Sequence, residues 1–480
     1  MSTPFWVAGK PASSPNTGPN SRAVIRSPYD GSVAGEHDVP SDEDTERAVR
    51  AAAEVSAETA ALPAHVRADA LDHVSRSLAR RSDEFAELIT AESGKPLKWS
   101  RVEVARSVST FRWAAEEARR FSPTMQRLDT DPGGVGRTAM TRRVPRGPVL
   151  GITPFNFPLN LVAHKVAPAL AVGAPIVLKP APGTPLTALL LGEVLSGTDL
   201  PPGAWSVLPV PNSAAPGLVA DPRLPVVSFT GSVPVGWSIA DSVPRKHVAL
   251  ELGGSAAVLV APDWADLDYA ARRIATFAMY QAGQSCISVQ RVYIHTTHWD
   301  ELREKIVAEV RNLVTGDPRD PRTDVGPMIN LAAAERVQAW VAAAVSAGAT
   351  LAVGGGRDGA TVEPTVLTQV PEDAAVMAEE VFGPVLSLNR VESVEEGFAR
   401  MNASKFGLQA GVFTTNLHTA FEASSKLAVG GLLIGDVPSF RADQMPYGGV
   451  KDSGVGREGP ASAMADFTEE HVTVFTGLPI

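Results

Sequence analysis

The sequence predicts an α/β protein with a doubly wound parallel sheet. Short apolar runs rich in β-branched residues recur between residues 145 and 261. Helix-like segments at 159–172 and 185–195 separate the first of these runs. Strands that alternate with helices are typical of a parallel sheet with helices on both faces. We expect strands at 149–152, 175–178, 205–208, 226–229, 248–252 and 256–260.

Helices are expected before this sheet, and a second α/β region after it. Residues 42–61, 65–92 and 100–121 carry apolar side chains at helical spacing. A Pro-Gly-Gly turn at 131–136 interrupts these elements. Further along, the sequence predicts a helix, a strand and two more helices, at 267–280, 289–294, 299–313 and 332–347. The chain therefore divides into two α/β lobes.

The composition is that of a globular protein. With 480 residues, of which 44% are hydrophobic and 20% charged, the chain can bury a large core. Its net charge of −10, with no run of Lys and Arg, argues against nucleic acid as a partner. We find no signal-peptide pattern and no stretch of about 20 apolar residues that could span a bilayer. We expect a cytoplasmic protein without a membrane partner.

Cys286 is the single cysteine of the chain. It permits no internal disulfide and no cysteine-based zinc site, and we expect no bound metal. The residue ends the string QAGQSC at 281–286, after the predicted helix 267–280, for which Gly283 is a plausible end. A lone cysteine is by default a small buried hydrophobe. As a nucleophile, Cys286 would need a base, an oxyanion donor and an electrophilic carbonyl.

Two further residues suit those roles. Glu251 ends an apolar strand, where an unpaired carboxylate is costly to bury, so it is a candidate base; the alternative is an ion pair or a strand-edge charge. Asn156 follows the first strand, where ligands bind in open α/β sheets, and its amide could stabilise an oxyanion. Ordinary turn chemistry, Asn followed closely by Pro158, is the alternative for Asn156.

Seven short motifs occur in one order along the chain. They are FNFP (155–158), LKPAPGTP (178–185), SFTGS (228–232), LELGG (250–254), QAGQSC (281–286), EEVFGPV (379–385) and MPYGGVKDSGVGREG (445–459). Most are weak alone, but in this order and spacing they are very specific. From about residue 27 to residue 476, the chain resembles the NAD(P)-dependent aldehyde dehydrogenase superfamily.

That resemblance implies an aldehyde dehydrogenase fold and a homodimer or homotetramer. Residues 1–125 and 145–252 would form the doubly wound NAD(P)-binding domain. Residues 253–440 would form the α/β catalytic domain. A small β arm, residues 126–144 and 460–480, would bridge the subunits of the oligomer.

The resemblance also implies the chemistry. Cys286 would attack a small aldehyde, and the Asn156 amide and the Cys286 backbone N–H would hold the hemithioacetal oxyanion. Hydride would leave for the nicotinamide of NAD or NADP. Glu251 would then activate the water that hydrolyses the thioester. Gly283 and Ser285 would leave room for cofactor and aldehyde beside the thiol.

The implied cofactor site draws on the same motifs. Lys179, which also counts among the catalytic residues, would bond the adenosine ribose hydroxyls, and Ser232 would meet the pyrophosphate at a helix N-terminus. Glu380 and Phe382 would hold the nicotinamide ribose. The other cofactor contacts implied are Ile152, Thr153, Pro154, Phe155, Gly231 and Gly253.

One stretch matches a different nucleotide-binding motif, and two others depart from the pattern of the family. The string GVGREG at 454–459 matches the dinucleotide fingerprint GxGxxG, but no hydrophobic strand precedes it and no βαβ unit surrounds it, so we reject it as one. Pro182 stands where strongly NAD-selective relatives carry a glutamate, which leaves the choice between NAD and NADP open. The loop 210–217 lacks the glycines usual in relatives, so its local conformation is free to differ.

The stretch 436–447 is similar to a branch with lactaldehyde-like and moss-type enzymes. In related enzymes for glyceraldehyde 3-phosphate and phosphonoacetaldehyde, arginines at two matching positions clasp an anionic tail, so we expect a phosphonate, phosphate or sulfonate on the aldehyde. Those relatives carry arginine at the position of Ser285, which makes this site less basic. Succinic-semialdehyde enzymes carry arginine at the position of His164, which argues against that substrate. The expected substrate residues are Arg106, Arg441, Phe157, His164 and Ser285.

Other interpretations stay open at this point. A solvated charge or a structural ion pair is the alternative for Arg106, and a packing role is the alternative for His164. A neutral, lactaldehyde-like substrate is the alternative to an anionic one, and a catalytically silent relative is the alternative to an enzyme. A CoA-acylating enzyme is disfavoured, because such relatives generally lack a residue like Glu251.

Overall fold

The computed structural model of the protein describes residues 2–13 and 21–477. Residues 1, 14–20 and 478–480, which include both outer ends of the expected domain ranges, lie outside the described residues. The α-helices are α1 (Asp42–Ala61), α2 (Ala64–Arg80), α3 (Ser82–Ser93), α4 (Leu97–Arg120), α5 (Asn160–Val172), α6 (Leu186–Leu195), α7 (Ala215–Ala220), α8 (Val233–Ser242), α9 (Leu267–Met279), α10 (Trp299–Arg311), α11 (Leu331–Ser346), α12 (Ala375–Ala378), α13 (Val394–Asn402), α14 (Leu417–Lys426) and α15 (Pro460–Asp466).

The β-strands alternate with these helices over much of the chain. They are β1 (Phe5–Val7), β2 (Lys10–Ala12), β3 (Arg22–Arg26), β4 (Val33–Asp38), β5 (Thr124–Arg127), β6 (Arg137–Pro145), β7 (Val149–Ile152), β8 (Ile176–Lys179), β9 (Trp205–Val207), β10 (Val226–Thr230), β11 (His247–Glu251), β12 (Ala256–Val260), β13 (Val289–His295), β14 (Thr350–Val353), β15 (Arg357–Asp358), β16 (Thr361–Val362), β17 (Thr365–Thr368), β18 (Val385–Val391), β19 (Phe406–Gly407), β20 (Gln409–Phe413), β21 (Gly431–Ile434), β22 (Val450–Lys451), β23 (Gly454–Val455) and β24 (Thr468–Thr476).

Two large sheets form the two lobes that the sequence predicts. The first has the strand order β2-β1-β9-β8-β7-β10-β11-β23, and the second β14-β17-β18-β13-β12-β20-β21. The predicted strand at 256–260, β12, belongs to the second sheet, so the chain passes from one lobe to the other between Glu251 and Ala256. Each sheet has its own buried apolar core.

The first sheet is parallel only in its centre. Strands β9, β8, β7, β10 and β11 run parallel to one another, as predicted. The flanking strands β1, β2 and β23, which were not predicted, are antiparallel. Residues 454–455 pair antiparallel with β11, and the GxGxxG string is therefore not the loop of a βαβ unit.

A separate three-stranded sheet has the order β24-β6-β5. Strand β24 pairs with β6 along its whole length, from Thr468 opposite Pro145 to Thr476 opposite Arg137. Most of this sheet falls within 126–144 and 460–480, the segments expected to form the β arm, and Thr124, Met125 and Pro145 lie just outside them. Residues 460–466, which were assigned to the same arm, form α15 instead, and that helix packs against α4 and α5 of the first lobe.

One predicted helix is broken in the structure. Residues 65–92 form two helices, α2 and α3, because Arg81 leaves the helical conformation with φ −106° and ψ 24°. The break lets α2 lie along α4 while α3 also reaches α6. The other predicted helices and strands are confirmed with small shifts at their ends. Within the described part of the chain, no helix is long and apolar enough to cross a membrane.

Candidate active site

The carboxyl ends of the central parallel strands bring several predicted residues to one edge of the first sheet. Ile152 at the end of β7 lies beside Lys179 at the end of β8. Thr230 at the end of β10 lies beside Glu251 at the end of β11. Ligands bind at this edge in open α/β sheets. The cofactor and base residues expected from separate motifs are therefore neighbours in space.

The loop that carries the cysteine begins with an unusual turn. Helix α9 ends at Met279, and Gln281, Ala282 and Gly283 then all have positive φ values, of 56°, 54° and 66°. Two adjacent non-glycine residues in the left-handed region are uncommon and need support from their surroundings. The Gln281 side-chain amide supplies it by donating to the Asn156 carbonyl at 2.7 Å and to the Gln284 carbonyl at 3.0 Å.

Gly283 has a different role from the one expected. The helix before it ends four residues earlier, so Gly283 does not terminate that helix. A Cβ atom on Gly283 would lie 2.0 Å from the Gly383 carbonyl oxygen. Gly283 therefore lets the cysteine loop touch the backbone of Gly383 and Pro384, and its expected role of leaving room for a ligand stays a prediction.

The Cys286 side chain is half-buried in the loop that follows the left-handed turn. The residue is partly exposed, whereas both of its neighbours, Ser285 and Ile287, are buried. Its Sγ atom is 3.0 Å from the Tyr447 hydroxyl oxygen. Burial is the main cause that raises the pKa of the Cys286 thiol to about 12, and the hydrogen bond with Tyr447 is the main opposing influence.

The Asn156 side chain lies against the cysteine loop. Its Nδ2 atom donates to the Gln284 carbonyl at 2.9 Å, which leaves the second N–H of this amide free of a protein partner. Its Oδ1 atom is buried and has no hydrogen-bond partner among the described residues. Asn156, the predicted oxyanion donor, is thus hydrogen-bonded to the loop that carries Cys286, the predicted nucleophile.

Glu251 is buried without a direct hydrogen-bond partner. The residue is 5% exposed, and neither carboxylate oxygen has a partner among the described residues. Burial is the first cause that raises the pKa of the Glu251 carboxyl well above its usual range, and the charge of Glu458 is the second. A carboxyl with a raised pKa, close enough to influence the Cys286 thiol, has the properties of a general base or acid.

A cleft of about 870 Å³ opens beside these residues, along the edge of the first sheet. Seven of the expected cofactor residues line it: Ile152, Thr153, Pro154, Phe155, Lys179, Gly231 and Ser232. Ser232 is the N-cap of α8, and its side chain makes no capping hydrogen bond, so the N–H groups of Val233 and Val235 have no side-chain partner from the cap at this end of the cleft. Pro182 also lines the cleft, as does Asn212.

Lys179 is the one charged side chain among the described residues that line this cleft. Its Nζ atom donates to the Asn212 side-chain oxygen at 2.9 Å, and no carboxylate among the described residues forms an ion pair with it. Burial lowers the pKa of the Lys179 amine to about 8. An uncompensated cation with a lowered pKa favours a ligand with oxygen acceptors or a negative charge.

The other three expected cofactor residues lie together next to the cleft. The Glu380 carboxylate accepts a hydrogen bond from the Gly254 N–H at 3.0 Å, and a Cβ atom on Gly253 would lie 2.2 Å from the Glu380 carboxylate. Burial raises the pKa of the Glu380 carboxyl to about 7. The Phe382 ring meets the Phe155 ring of the cleft edge to face, with 5.8 Å between their centres.

Two of the expected substrate residues, Arg106 and His164, meet at one carboxylate, Asp443, and a third, Phe157, lies beside Arg106. Arg106 Nη2 is 3.0 Å and His164 Nε2 is 3.4 Å from the Asp443 Oδ1 atom. The Phe157 ring centre lies 6.0 Å from the Arg106 guanidinium. Burial opposes ionisation of Asp443, but His164 and Arg106 outweigh it and lower the pKa of this carboxyl to about 2. Burial lowers the pKa of His164 to about 4, so this imidazole is neutral near pH 7.

Arg441, another expected substrate residue, is buried and pairs with a different carboxylate, that of Glu458. Its Nη2 atom is 3.0 Å from the Glu458 carboxylate, and both side chains are 5% exposed. Its guanidinium lies 3.8 Å from the centre of the Tyr447 ring. Glu458 also contacts Lys165, at 3.4 Å, so this carboxylate faces two cations. Arg106 and Arg441 are therefore ion-paired, as the alternative to a substrate role allows.

Ser285 differs from the other expected substrate residues. Its hydroxyl accepts a hydrogen bond from the Tyr280 hydroxyl at 2.6 Å, and the residue is 4% exposed. This contact fixes Ser285 to the turn before the cysteine.

Sequence reasoning missed several members of this site. Asp443, Glu458 and Tyr447 contact expected residues, and Lys165 contacts Glu458, but none of the four was singled out. Tyr447 and Glu458 lie inside the motif 445–459, so their place in that motif could have identified them as site residues. Asp443 and Lys165 lie outside the seven motifs, and their contacts join segments far apart in the chain.

Unpartnered buried atoms concentrate in this region. Among the described residues, eleven buried side-chain nitrogen and oxygen atoms lack a hydrogen-bond partner. Eight of the eleven belong to seven residues around the thiol and the cleft: Arg106, Thr153, Asn156, His164, Glu251, Gln281 and Arg441. Such atoms are rare in folded proteins, and their clustering indicates a ligand site.

The fold and this site define an oxidoreductase that acts on aldehydes. The chain belongs to the aldehyde dehydrogenase family, whose pattern matches residues 16–473. It is 42% identical over 448 residues to a 3-sulfolactaldehyde dehydrogenase of Priestia megaterium, covering 93% of each chain. It is 36% identical over 407 residues to a lactaldehyde dehydrogenase of Methanococcus maripaludis, covering 84% of this chain and 86% of the relative.

Solved structures agree with this assignment. Aldehyde dehydrogenase 21 of Physcomitrella patens, in complex with its product succinate, superposes with a TM-score of 0.97 and 41% identity, covering 100% of this chain and 99% of the other. The glyceraldehyde-3-phosphate dehydrogenase GapN of Methanocaldococcus jannaschii, complexed with NADP, has a TM-score of 0.90 and 34% identity, covering 94% and 98%. The expected aldehyde dehydrogenase fold is confirmed.

Proposed function

We propose that the protein oxidises a small aldehyde with an anionic tail to its carboxylic acid, with NAD or NADP as acceptor and a thioester on Cys286 as intermediate. The observation that supports an anionic substrate is that two arginines each have a guanidinium nitrogen without a hydrogen-bond acceptor. Arg106 Nη2 and Arg441 Nε are buried and lack a well-directed hydrogen bond to any described residue, although each arginine has one carboxylate neighbour. A sulfonate, phosphate or phosphonate supplies the oxygen acceptors that such groups require.

The chain's own residues supply the protein part of this chemistry. The Cys286 sulfur bonds to the aldehyde carbon, and the π electrons of the carbonyl move to its oxygen. The free N–H of the Asn156 amide, together with the Cys286 backbone N–H, stabilises that oxyanion. The nicotinamide, when bound, accepts the hydride. Glu251 then takes a proton from the water that attacks the thioester, a role that suits a carboxyl with a raised pKa.

The cleft fits a dinucleotide. Lys179 offers a cation, the start of α8 offers free N–H groups, and Thr153 offers a buried hydroxyl without a described partner. We assign the adenosine ribose to Lys179, the pyrophosphate to Ser232 and the nicotinamide ribose to Glu380 and Phe382. Related structures support this assignment, because two of them contain NADP and another is described as NAD-dependent.

Relatives favour a sulfonate among the possible anions. Besides the 3-sulfolactaldehyde enzyme, a sulfoacetaldehyde dehydrogenase of Neptuniibacter caesariensis is 36% identical over 444 residues. The second candidate substrate is neutral lactaldehyde. The ion pairs of Arg106 with Asp443 and of Arg441 with Glu458 favour it, because guanidiniums that already have carboxylate neighbours need an anion less.

A substrate comparison tests the proposal. Sulfoacetaldehyde, phosphonoacetaldehyde and lactaldehyde are compared as substrates by kcat/KM, with NAD and with NADP. In Arg106→Met and Arg441→Met, we expect kcat/KM for the preferred anionic aldehyde to fall roughly 10- to 150-fold further than for lactaldehyde. Arg112→Met is the matched control, because Arg112 is an exposed residue on the same helix as Arg106. Equal losses on charged and neutral aldehydes would favour the lactaldehyde-like function.

We also propose the domain roles implied by the fold. Residues 1–125 and 145–252 form the cofactor-binding domain, residues 253–440 form the catalytic domain, and the small sheet mediates a homodimer or homotetramer. Exposed apolar side chains on that sheet, Met125, Val472 and Val474, support the last assignment. A cytoplasmic location suits the proposed mechanism, because the nucleophilic thiol has to remain reduced.

A further inference from the structure

The contact between Tyr447 and the nucleophile has no part in the mechanism above. Tyr447 is 3% exposed, and its ring lies in a small apolar cluster with Ile287, Leu408 and Cys286. Its hydroxyl oxygen is 3.0 Å from Cys286 Sγ, and this is the hydrogen bond that the structure gives to each of these two groups. A buried phenol placed against the reacting atom can influence its chemistry directly.

The position of Tyr447 is fixed from two sides. Its backbone forms a two-way bridge with Glu458, at 3.0 Å and 2.6 Å between nitrogen and oxygen. The Glu458 carboxylate binds Arg441, and the Arg441 guanidinium lies 3.8 Å from the centre of the Tyr447 ring. A cation at the ring face withdraws electron density from the phenol, which makes its hydroxyl a better donor.

We propose that the Tyr447 hydroxyl is a catalytic hydrogen-bond donor that stabilises the Cys286 thiolate before it attacks the aldehyde. This inference rests on the proposed role of Cys286 as nucleophile. The thiol proton leaves to water, and the Tyr447 O–H donates to the remaining sulfur lone pairs. When sulfur bonds to the aldehyde carbon, one of these lone pairs becomes the new bond, and the hydrogen bond from Tyr447 weakens.

The surroundings of the sulfur explain why such a donor is needed. Burial raises the pKa of Cys286, and the carboxyls of Glu380 and Glu251 raise it further when they are ionised. Arg441 and the hydrogen bond from Tyr447 act in the opposite direction. The thiolate is the reactive form of cysteine, so the fraction ionised limits the rate below the thiol pKa. The groups that face this sulfur are Glu251 from β11, Glu380 after α12, Tyr280 after α9, and Arg441 and Tyr447 from the loop before β22.

The test is the pH dependence of Cys286 alkylation by iodoacetamide, measured without aldehyde or cofactor. Because the chain has one cysteine, loss of free thiol and the mass of the adduct report on this site alone. For Tyr447→Phe, which keeps the packed ring, we expect the alkylation midpoint to rise by about one to two pH units. At a fixed pH below both midpoints, alkylation should slow by roughly 10- to 100-fold.

Tyr280→Phe is the matched control. Tyr280 is also buried near the thiol, but its hydroxyl bonds Ser285 Oγ instead of sulfur. We expect its alkylation midpoint to match that of the wild type. An unchanged midpoint in Tyr447→Phe, or equal rises in the two variants, would overturn the proposal. Thermal unfolding of both variants checks that the fold is retained.

A second measurement needs no substitution. Replacement of the tyrosines by 3-fluorotyrosine makes their hydroxyls more acidic and hence better donors, so the alkylation midpoint of Cys286 should fall. An unmoved midpoint would contradict the role of Tyr447, even if Tyr447→Phe did not fold. The two proposals fail separately: turnover by Cys286→Ala would refute the nucleophile, whereas unshifted alkylation would refute only the donor.

Discussion

The proposed cofactor cleft differs in its charged residues from the region around the Cys286 thiol, which we call the thiol pocket. The cleft is wide, is lined mainly by backbone and small or apolar side chains, and has Lys179 as its one charged lining residue. The thiol pocket, by contrast, contains ion pairs between half-buried or buried side chains, Arg106 with Asp443 and Arg441 with Glu458. The cleft can therefore bind a large ligand through backbone groups, while the pocket controls protonation and charge at a few atoms.

This difference predicts where substitutions act. Changes in the thiol pocket should alter the rates of chemical steps, because burial and neighbouring charges shift the pKa values of Glu251 and Cys286. Changes in the cleft should alter cofactor affinity and leave the rates of the chemical steps nearly unchanged, because the cleft residues form a binding surface and take no part in the chemistry. The four substitutions below follow that division, from the largest expected effect to the smallest.

The largest effect is expected at the nucleophile. Cys286→Ala removes the atom that forms the thioester, so kcat should fall by about 10⁴-fold or more. Cofactor affinity, measured by nicotinamide fluorescence, should stay within about threefold of the wild type, because Cys286 is not among the residues that line the cleft. Turnover within about tenfold of the wild type would show that Cys286 is not the nucleophile.

Glu251→Gln keeps the size of the side chain but removes its ability to accept a proton. We expect a burst of about one NAD(P)H per active site, followed by turnover slowed by roughly 10²- to 10⁴-fold. Mass spectrometry during the slow phase should find the acyl group on Cys286. Unchanged steady-state turnover without an acyl adduct would assign deacylation to another base.

Asn156→Ala removes one preorganised donor at the oxyanion. We expect the single-turnover rate of NAD(P)H formation to fall by about 10²- to 10³-fold, with little change in cofactor affinity. Single-turnover kinetics isolate this step from product release. If the rate falls by less than about threefold, Asn156 has the turn role that its sequence context also allows.

The smallest effect is expected in the cleft. Lys179→Met should weaken NAD(P)H binding by roughly tenfold while the single-turnover rate at saturating cofactor stays near that of the wild type. Burial lowers the pKa of Lys179 to about 8, so the amine is charged below that pH and neutral above it. Wild-type affinity should therefore decrease between about pH 7 and pH 9, and the affinity of Lys179→Met should not. A flat wild-type profile would remove Lys179 from the binding site.

The same division separates what the sequence predicted from what it did not. The cleft lies at the carboxyl ends of consecutive strands, and its position follows from the spacing of apolar runs and helices. Residues 152–155, Lys179, Gly231 and Ser232 could therefore be placed together from the pattern and the family resemblance. The antiparallel edges of the sheet could not, because a two-residue strand such as β23 carries no periodic signal.

The thiol pocket depends on contacts between distant segments. Arg106 meets Asp443 across 337 positions, and Lys165 meets Glu458 across 293. No local pattern encodes such a pairing, so the carboxylate neighbours of the expected arginines went unnoticed. The sequence also could not show that Ser285 is engaged by Tyr280, or that Gly283 touches another backbone segment, because both depend on the left-handed turn at 281–283.

The contact of Gly283 with Gly383 has a consequence for how this enzyme tolerates variation. A Cβ on Gly283 would meet the Gly383 carbonyl oxygen at 2.0 Å, and a Cβ on Gly383 would meet the Val337 side chain of α11 at 2.6 Å. Because backbone fills the gap at Gly283, no smaller residue opposite it can compensate for an added side chain. In a library of random substitutions, we therefore expect active variants to keep glycine at position 283. This glycine allows the cysteine loop to pack against the segment that carries Glu380 and Phe382.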